Sequence, residues 1–196
     1  GAAPTKRDQR QEALAVLVDS MMQICRAAQE VPGLNVIIEP LDFAAHKKAA
    51  LGRTQEAIRL CEELEENGLA ASLCLDTAHI LLNGESPLET LGSAQSFVAE
   101  YHYCNCVTDV THPLYGDRHL PFGPPGVVDV TEVAQIMERS LETGFFNSAD
   151  RPSIFCEVFK RDRDDSIKIL QHCGTTLQQA WDMCLEIRNT LPIGRN

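Results

Sequence analysis

Four apolar segments of this chain each end in a side chain that can bind a metal ion. An apolar run that buries both faces of a parallel strand makes a carboxylate at its last position costly, unless that carboxylate points out of the sheet at a cation. The carboxyl ends of parallel strands meet at one edge of a sheet. We therefore predict a metal site at that edge, with four ligands: Glu39, Asp76, His102 and Glu157.

The ligand types indicate which ion this site would take. Three carboxylates and one imidazole form a mixed oxygen and nitrogen ligand set, which suits Mn²⁺, Co²⁺ or Mg²⁺. Structural zinc sites are typically rich in cysteine, so this set is less typical of them. We favour Mn²⁺. Cys104 and Cys106 share strand parity with His102, and a thiolate from either would shift the preference to Zn²⁺. We interpret both as packing or loop residues.

Such a site predicts proton transfer next to a carbonyl group. A cation that chelates a carbonyl and its neighbouring hydroxyl acts as a Lewis acid as an enediolate forms. Glu39 and Glu157, on the first and last strands, would be the catalytic pair, one removing the proton and the other returning it. The outcome is epimerisation, or aldose–ketose isomerisation if the proton moves between neighbouring carbons. The sequence leaves both open, and salt-bridged strand-end carboxylates are the structural alternative.

Alternating helices and strands must position these side chains. The candidate ligands are 37, 26 and 55 residues apart, and one strand with its crossover helix in a (β/α)₈ barrel takes about 30 residues. The third gap holds an irregular Gly/Pro-rich stretch, 111–126. Helical spacing and end signals predict five helices, the second capped by Thr54 and the last with a break at Gly174 left open. These helices are 6–29, 54–67, 87–97, 131–144 and 164–190.

The strands predicted with them are 35–39, 71–76, 98–102 and 153–157. This order predicts an α/β fold, a single domain over residues 1–196 that covers the last four βα units of a TIM barrel and the preceding helix. Four units leave two unpaired parallel edges, whereas a closed barrel has none. We expect the remaining strands to come from an upstream segment or from a second chain, which could be a second copy in a homo-oligomer. The opening residues 1–7, which would follow a preceding strand, favour the upstream segment.

Composition narrows the functional class. No apolar run approaches the roughly 20 residues that cross a bilayer, so a membrane partner is not expected. The net charge of −11 leaves no basic surface for phosphates, which argues against nucleic acid. The eight cysteines show no CxxC pair and read as reduced thiols of a cytoplasmic protein.

At the level of motifs, the chain resembles the carboxyl-terminal half of a sugar phosphate isomerase or epimerase of the xylose isomerase-like TIM-barrel superfamily, which includes the ketose 3-epimerases. The matching segments are IIEPLD, LCLDTAH, YHYCN, GDRHLPFG and IFCEVF. The resemblance implies a small-molecule sugar substrate and metal binding by the four strand-end residues. It also implies that His79, Arg118 and His119 contact the substrate.

Three features depart from the family pattern. An acidic residue usually follows the ligand histidine three places on, where this chain has Asn105. The substrate-binding arginine of the family lies a few residues after the histidine, whereas Arg118 comes only after an insertion. The segment His46–Lys48 is either a cationic loop that binds a phosphate or carboxylate group, or a solvated turn. An inosose dehydratase-like lyase, an endonuclease IV-like hydrolase and a non-catalytic half-barrel stay open as alternatives. The acidic balance and the single ligand histidine count against the nuclease.

Overall fold

Four parallel strands form the central sheet of the computed structural model, which describes residues 7–147, 152–161 and 164–190. The strands are β1 (Ile37–Ile38), β2 (Ser72–Asp76), β3 (Val98–Tyr103) and β6 (Ser153–Cys156). They lie in the order β1-β2-β3-β6, and every neighbouring pair is parallel. The predicted α/β architecture with one parallel sheet is confirmed, although β1 has only two residues. Residues 1–6, part of the predicted opening segment, lie outside the described residues.

Six α-helices accompany the sheet within the described residues, and their ends correct several predictions. The helix α2 begins at Thr54, so Arg53 is its N-cap and the predicted cap at Thr54 is wrong; Glu56 accepts a hydrogen bond from the Arg53 N–H. The last helix runs unbroken through Gly174, because the surrounding residues pack on the core. The helices are α1 (Arg7–Gln29), α2 (Thr54–Glu66), α3 (Thr77–Leu82), α4 (Pro87–Ala94), α5 (Val130–Glu142) and α6 (Ser166–Thr190).

The stretch predicted to be irregular contributes the second strand of an antiparallel hairpin. Its strands are β4 (Asn105–Val107) and β5 (Gly116–Leu120), which pair in a separate two-stranded sheet. Asn105 is fully buried and anchors the segment that follows the hairpin. Its amide donates to the carbonyls of Pro121 (2.7 Å) and Gly123 (2.8 Å) and accepts from the Val128 N–H (2.9 Å). An acid at this position would lack these two donors.

One hydrophobic cluster joins the sheet to the helices. Leu73 and Leu75 of β2 and Tyr101 and Tyr103 of β3 are buried in it, together with apolar side chains of α2, α4, α5 and α6. This packing fixes the strands against the helices. Among the described helices, none combines the length and the apolar character needed to cross a bilayer.

Candidate metal centre

The structure brings all four predicted ligands to the carboxyl ends of the parallel strands. Asp76 ends β2 and lies opposite His102 of β3 in the register of the sheet. Glu39 follows β1 directly, and Glu157 follows β6, where its N–H donates to the Tyr103 carbonyl at 3.3 Å. One ligand atom from each of the four residues lies within 4.8 Å of every other. Such a set is close enough to share one ion.

The orientation of His102 fits a metal ligand. Its Nε2 lies 2.9 Å from Glu100 Oε1. An ionised carboxylate can only accept, so Nε2 carries a proton, and in the neutral ring Nδ1 then keeps its lone pair. This buried Nδ1 makes no hydrogen bond and faces three carboxylates, with Glu157 Oε2 at 3.0 Å, Glu39 Oε1 at 3.7 Å and Asp76 Oδ2 at 3.8 Å. Carboxylate and imidazole lone pairs brought this close together are stabilised when a cation lies between them.

Asp76 is held rigidly by two further contacts. Its Oδ1 accepts a hydrogen bond from the His79 N–H at 3.0 Å and so caps α3, while its Oδ2 accepts from the Cys104 thiol at 2.7 Å. Burial, followed by the nearby Asp76 charge, raises the pKa of Cys104 well above its ordinary value. Cys104 is therefore a protonated donor to a candidate ligand. Cys106 is directed at the Ala78 carbonyl, 3.8 Å away.

The two predicted catalytic carboxylates are the accessible members of the group. The side chains of Glu39 and Glu157 are 33% and 37% exposed, whereas that of Asp76 is 0% exposed. Burial and the neighbouring Asp76 charge raise the pKa of Glu39, although His79 and His102 act in the opposite direction. A raised pKa makes a carboxyl group a better proton acceptor and donor near neutral pH.

Of the three predicted substrate contacts, the structure brings two to this group. His79 Nε2 lies 3.9 Å from Glu39 Oε1, and His119 Nδ1 lies 3.7 Å from Glu157 Oε1. Arg118 is on the exposed face of β5, because side chains alternate along a strand and both of its neighbours are buried. Its predicted contact with the substrate is not supported by this position.

Two acidic residues that the sequence analysis missed lie next to these histidines. Asp117 precedes Arg118 in β5, and its Oδ2 lies 3.0 Å from Lys47 Nζ. Asp42 is fully buried and accepts hydrogen bonds from the backbone N–H groups of His46 and Lys47. The predicted cationic loop at His46–Lys48 is thus folded around Asp42, with Lys47 directed at Asp117.

Strand parity was the signal that could have found Asp117 and also Glu100, a third acid that the sequence analysis missed. Glu100 is two residues before His102 in β3, and Asp117 is two residues before His119 in β5, so each pair shares a face of its strand. Recognising Asp117 also required the hairpin, which the sequence analysis treated as a loop. Nothing in the sequence around Asp42 indicated that its carboxylate would be buried.

Comparison with known proteins is consistent with this geometry. A family model described as a xylose isomerase-like TIM barrel matches residues 1–173. A search of curated proteins gave no match. Among solved structures, an L-ribulose 3-epimerase superposes with a TM-score of 0.63 at 17% identity, covering 100% of this chain and 62% of its own.

Two further solved structures show the same fold. The IOLI protein, solved with a zinc atom bound, has a TM-score of 0.67 at 14% identity, covering 92% of this chain and 60% of its own. The 3-keto-D-glucoside 4-epimerase from E. coli has a TM-score of 0.61 at 16% identity, covering 90% and 57%. The chain thus spans less than two thirds of the length of these structural relatives.

Proposed function

We propose that this chain, which belongs to the xylose isomerase-like TIM-barrel family, carries the metal-binding edge of a sugar isomerase or epimerase. The observation that supports this most directly is the Nδ1 of His102, which has no hydrogen-bond partner and faces three carboxylates. The substrate would be a sugar or a sugar derivative with a carbonyl group. The reaction would be removal and return of the proton on the neighbouring carbon.

In this proposal, Glu39, Asp76, His102 and Glu157 hold one divalent ion. Three oxygen ligands and one nitrogen ligand favour Mn²⁺, with Co²⁺, Mg²⁺ and Zn²⁺ as alternatives. Bound there, the ion would supply positive charge next to the substrate carbonyl and so make the adjacent proton more acidic. Glu100 holds the ligand His102 in place by a hydrogen bond, and Cys104 does the same for Asp76.

Glu39 and Glu157 are the proposed acid and base. They follow the two outermost strands of the sheet, β1 and β6, and both side chains are partly accessible. A substrate seated between them would present opposite faces of its reacting carbon to the two carboxylates. One group would then remove the proton to give a planar enediolate, and the other would return it from the opposite side.

In this proposal, His79 and His119 contact the substrate. Both are buried next to the acid and base, His79 beside Glu39 and His119 beside Glu157. His119 also stacks on the Phe159 ring, with ring centroids 4.4 Å apart, and its carbonyl accepts from the Phe159 N–H at 2.9 Å. These contacts fix the hairpin against the segment after β6 and so hold the ring of His119 at the site.

We also propose that further strands pair with the outer edges of β1 and β6. Among the residues that the structure describes, no strand pairs with either edge, and Ile154 and Phe155 of β6 are exposed. An upstream segment or a second copy of the chain would cover them.

All eight cysteines are free, which fits the cytoplasmic location expected from the sequence.

Solvent exchange tests the proposed chemistry. The demetallated protein and the Mn²⁺-loaded protein are incubated with ketoses in D₂O, and deuterium at the α-carbon is measured by mass spectrometry. We expect metal-dependent uptake that falls by about 10²–10⁴-fold in Glu39→Gln and in Glu157→Gln.

Glu62→Gln is the matched control, because Glu62 is an exposed acid on α2. It should exchange like the wild type. Uptake that both site variants retain in full would eliminate the acid and base pair. Uptake that is unchanged without metal would eliminate the metal-dependent mechanism.

A further inference from the structure

The loop between β1 and α2 presents a lysine beside the candidate metal centre. Lys47 Nζ lies 3.0 Å from Asp117 Oδ2. The Asp117 carboxylate also contacts His119, whose Nδ1 lies 3.7 Å from Glu157 Oε1. One carboxylate and one imidazole thus link the ammonium group to the proposed acid and base residue Glu157. A sugar bound next to Glu157 would extend from there toward Lys47.

Buried hydrogen bonds hold this loop in one shape. The Asp42 carboxylate is fully buried and accepts from the N–H groups of His46 and Lys47. The Asp42 carbonyl accepts from the Ala49 N–H at 3.0 Å. The side-chain amide of Asn83 donates to two further carbonyls of the loop, at 3.3 and 2.9 Å. Lys47 is therefore presented from a fixed backbone, which is what a binding residue requires.

The same loop packs against the hairpin strand β5 at a glycine. A side chain at Gly116 would place its Cβ 3.0 Å from His46 Nδ1, and the φ of 101° at this residue favours glycine. Lys47 binds the next residue of the strand, Asp117. The loop and the hairpin thus contact each other at two neighbouring residues, and this fixes the ammonium group between them.

The Lys47 ammonium group has donors left for a ligand. It carries three N–H donors, and among the described residues Asp117 is the one acid within ion-pair distance. The Lys47 side chain is 42% exposed, whereas that of Asp117 is 3% exposed. A substrate can therefore approach the ammonium group from the side opposite Asp117.

The charges around Lys47 indicate which group it would bind. The hydrogen bond to Asp117 raises the pKa of Lys47 against the effect of burial, and the charges of Asp42 and Glu157 add to the rise. Lys47 is therefore positive at neutral pH, but three acids surround it. These acids would repel a phosphate or carboxylate group, whereas a neutral hydroxyl group can accept a hydrogen bond from the ammonium group without adding charge.

We propose that Lys47 binds a hydroxyl group at the end of the sugar remote from the metal, and that it selects neutral sugars over their phosphate esters. The ammonium group would donate to the hydroxyl oxygen, while Asp117 holds it in place. This inference rests on the proposed function, because it requires a sugar held next to Glu157. It adds a specificity-determining residue to the metal ligands and to the acid and base.

The kinetics of solvent exchange test this role. Deuterium uptake by the Mn²⁺-loaded protein in D₂O is measured with D-fructose, D-tagatose, L-ribulose and D-fructose 6-phosphate. Lys47→Met keeps the apolar stem and loses the ammonium group. We expect its KM for the neutral sugars to rise by about 10–100-fold, with kcat changed by less than about 3-fold. Lys48→Met changes the neighbouring exposed lysine and should behave like the wild type.

The outcomes separate this inference from the proposed function. A wild-type KM in Lys47→Met would remove Lys47 from the substrate site and leave the proposed function standing. A wild-type preference for D-fructose 6-phosphate that Lys47→Met loses would contradict the selection of neutral sugars. A parallel loss of kcat and of Mn²⁺ affinity in Lys47→Met would make the effect structural and overturn the binding role. Absence of exchange by the wild type with all four sugars would overturn the proposed function and this inference with it.

Discussion

Glu100 accepts a hydrogen bond from His102 Nε2 at 2.9 Å and thereby directs the other ring nitrogen at three carboxylates. The two residues are two positions apart on β3 and share a face of that strand. The hydrogen bond selects the tautomer with a free Nδ1 and fixes the angle of the ring. Glu100 is thus a positioning residue for the candidate metal centre.

Removing this hydrogen bond should weaken metal binding. In Glu100→Ala, His102 can adopt either tautomer and more than one ring orientation, so we expect Mn²⁺ affinity to fall by about 10–100-fold. Calorimetric titration of the demetallated protein measures this. Glu62→Ala, an exposed change on α2, should bind like the wild type. Equal affinities for both variants would show that Glu100 has no role in the site.

The thiol of Cys104 should not ligate the ion. It donates to Asp76 Oδ2 at 2.7 Å, and burial raises its pKa. The Co²⁺-loaded protein should therefore lack the near-ultraviolet thiolate-to-cobalt absorption band. Cys104→Ala should retain Co²⁺ binding with a loss of only a few-fold, from a less firmly held Asp76. A charge-transfer band that disappears in Cys104→Ala would instead make this residue a ligand.

Asn105→Asp should destabilise the fold. The substitution removes two buried donors to the carbonyls of Pro121 and Gly123 and places a carboxylate against them. We expect the free energy of unfolding to fall by about 2–4 kcal/mol. Urea denaturation provides the measurement. Asn67→Asp, which loses one exposed hydrogen bond to the Glu63 carbonyl, should cost less than about 1 kcal/mol. Similar losses in both variants would contradict the anchoring role.

The ion pair between Arg10 of α1 and Glu56 of α2 predicts a pH dependence of stability. Burial acts to raise the pKa of Glu56, but Arg10 and the Arg53 N–H outweigh it, and the pKa is lowered from 4.5. A lowered folded-state pKa stabilises the protein above the unfolded value, and this contribution is lost as pH falls through the folded pKa.

Glu56→Gln should therefore cost about 1 kcal/mol at pH 7, since the pair is partly exposed. The cost should disappear in acid, below the lowered pKa of Glu56. Urea denaturation of the variant and of Glu62→Gln across this range checks the sign. A cost that is independent of pH would mean that Glu56 acts through packing alone.

The parts of the fold with strong local patterns were predictable from the sequence. The segments 71–76 and 98–102 were predicted to be parallel strands, and β2 and β3 pair in parallel there with Asp76 opposite His102. The helix α4 begins at Pro87, the predicted first residue, directly after the N-cap Ser86. Because strand ends meet at one edge, the gathering of the four candidate ligands could also be predicted, although their binding of a metal stays a prediction.

The features that were missed depend on short elements and distant contacts. The helix α3 has six residues, too few to show a period, and β5 of the hairpin lies in a Gly/Pro-rich stretch that resembles a loop. His119 is held there with a positive φ of 40°, which is uncommon for a residue with a side chain. The burial of Asp42 and Asp117 depends on the chain folding back over the sheet, which no local pattern encodes.

One oxygen of Asp76 starts the helix that carries His79, while the other lies in the candidate ligand group. The same carboxylate thus caps a helix and belongs to the candidate metal centre. In a deep mutational scan scored by soluble yield alone, position 76 should already be intolerant, whereas position 157 should tolerate change until catalysis is selected. Any activity deficit of an Asp76 variant therefore has to be judged against its loss of folded protein.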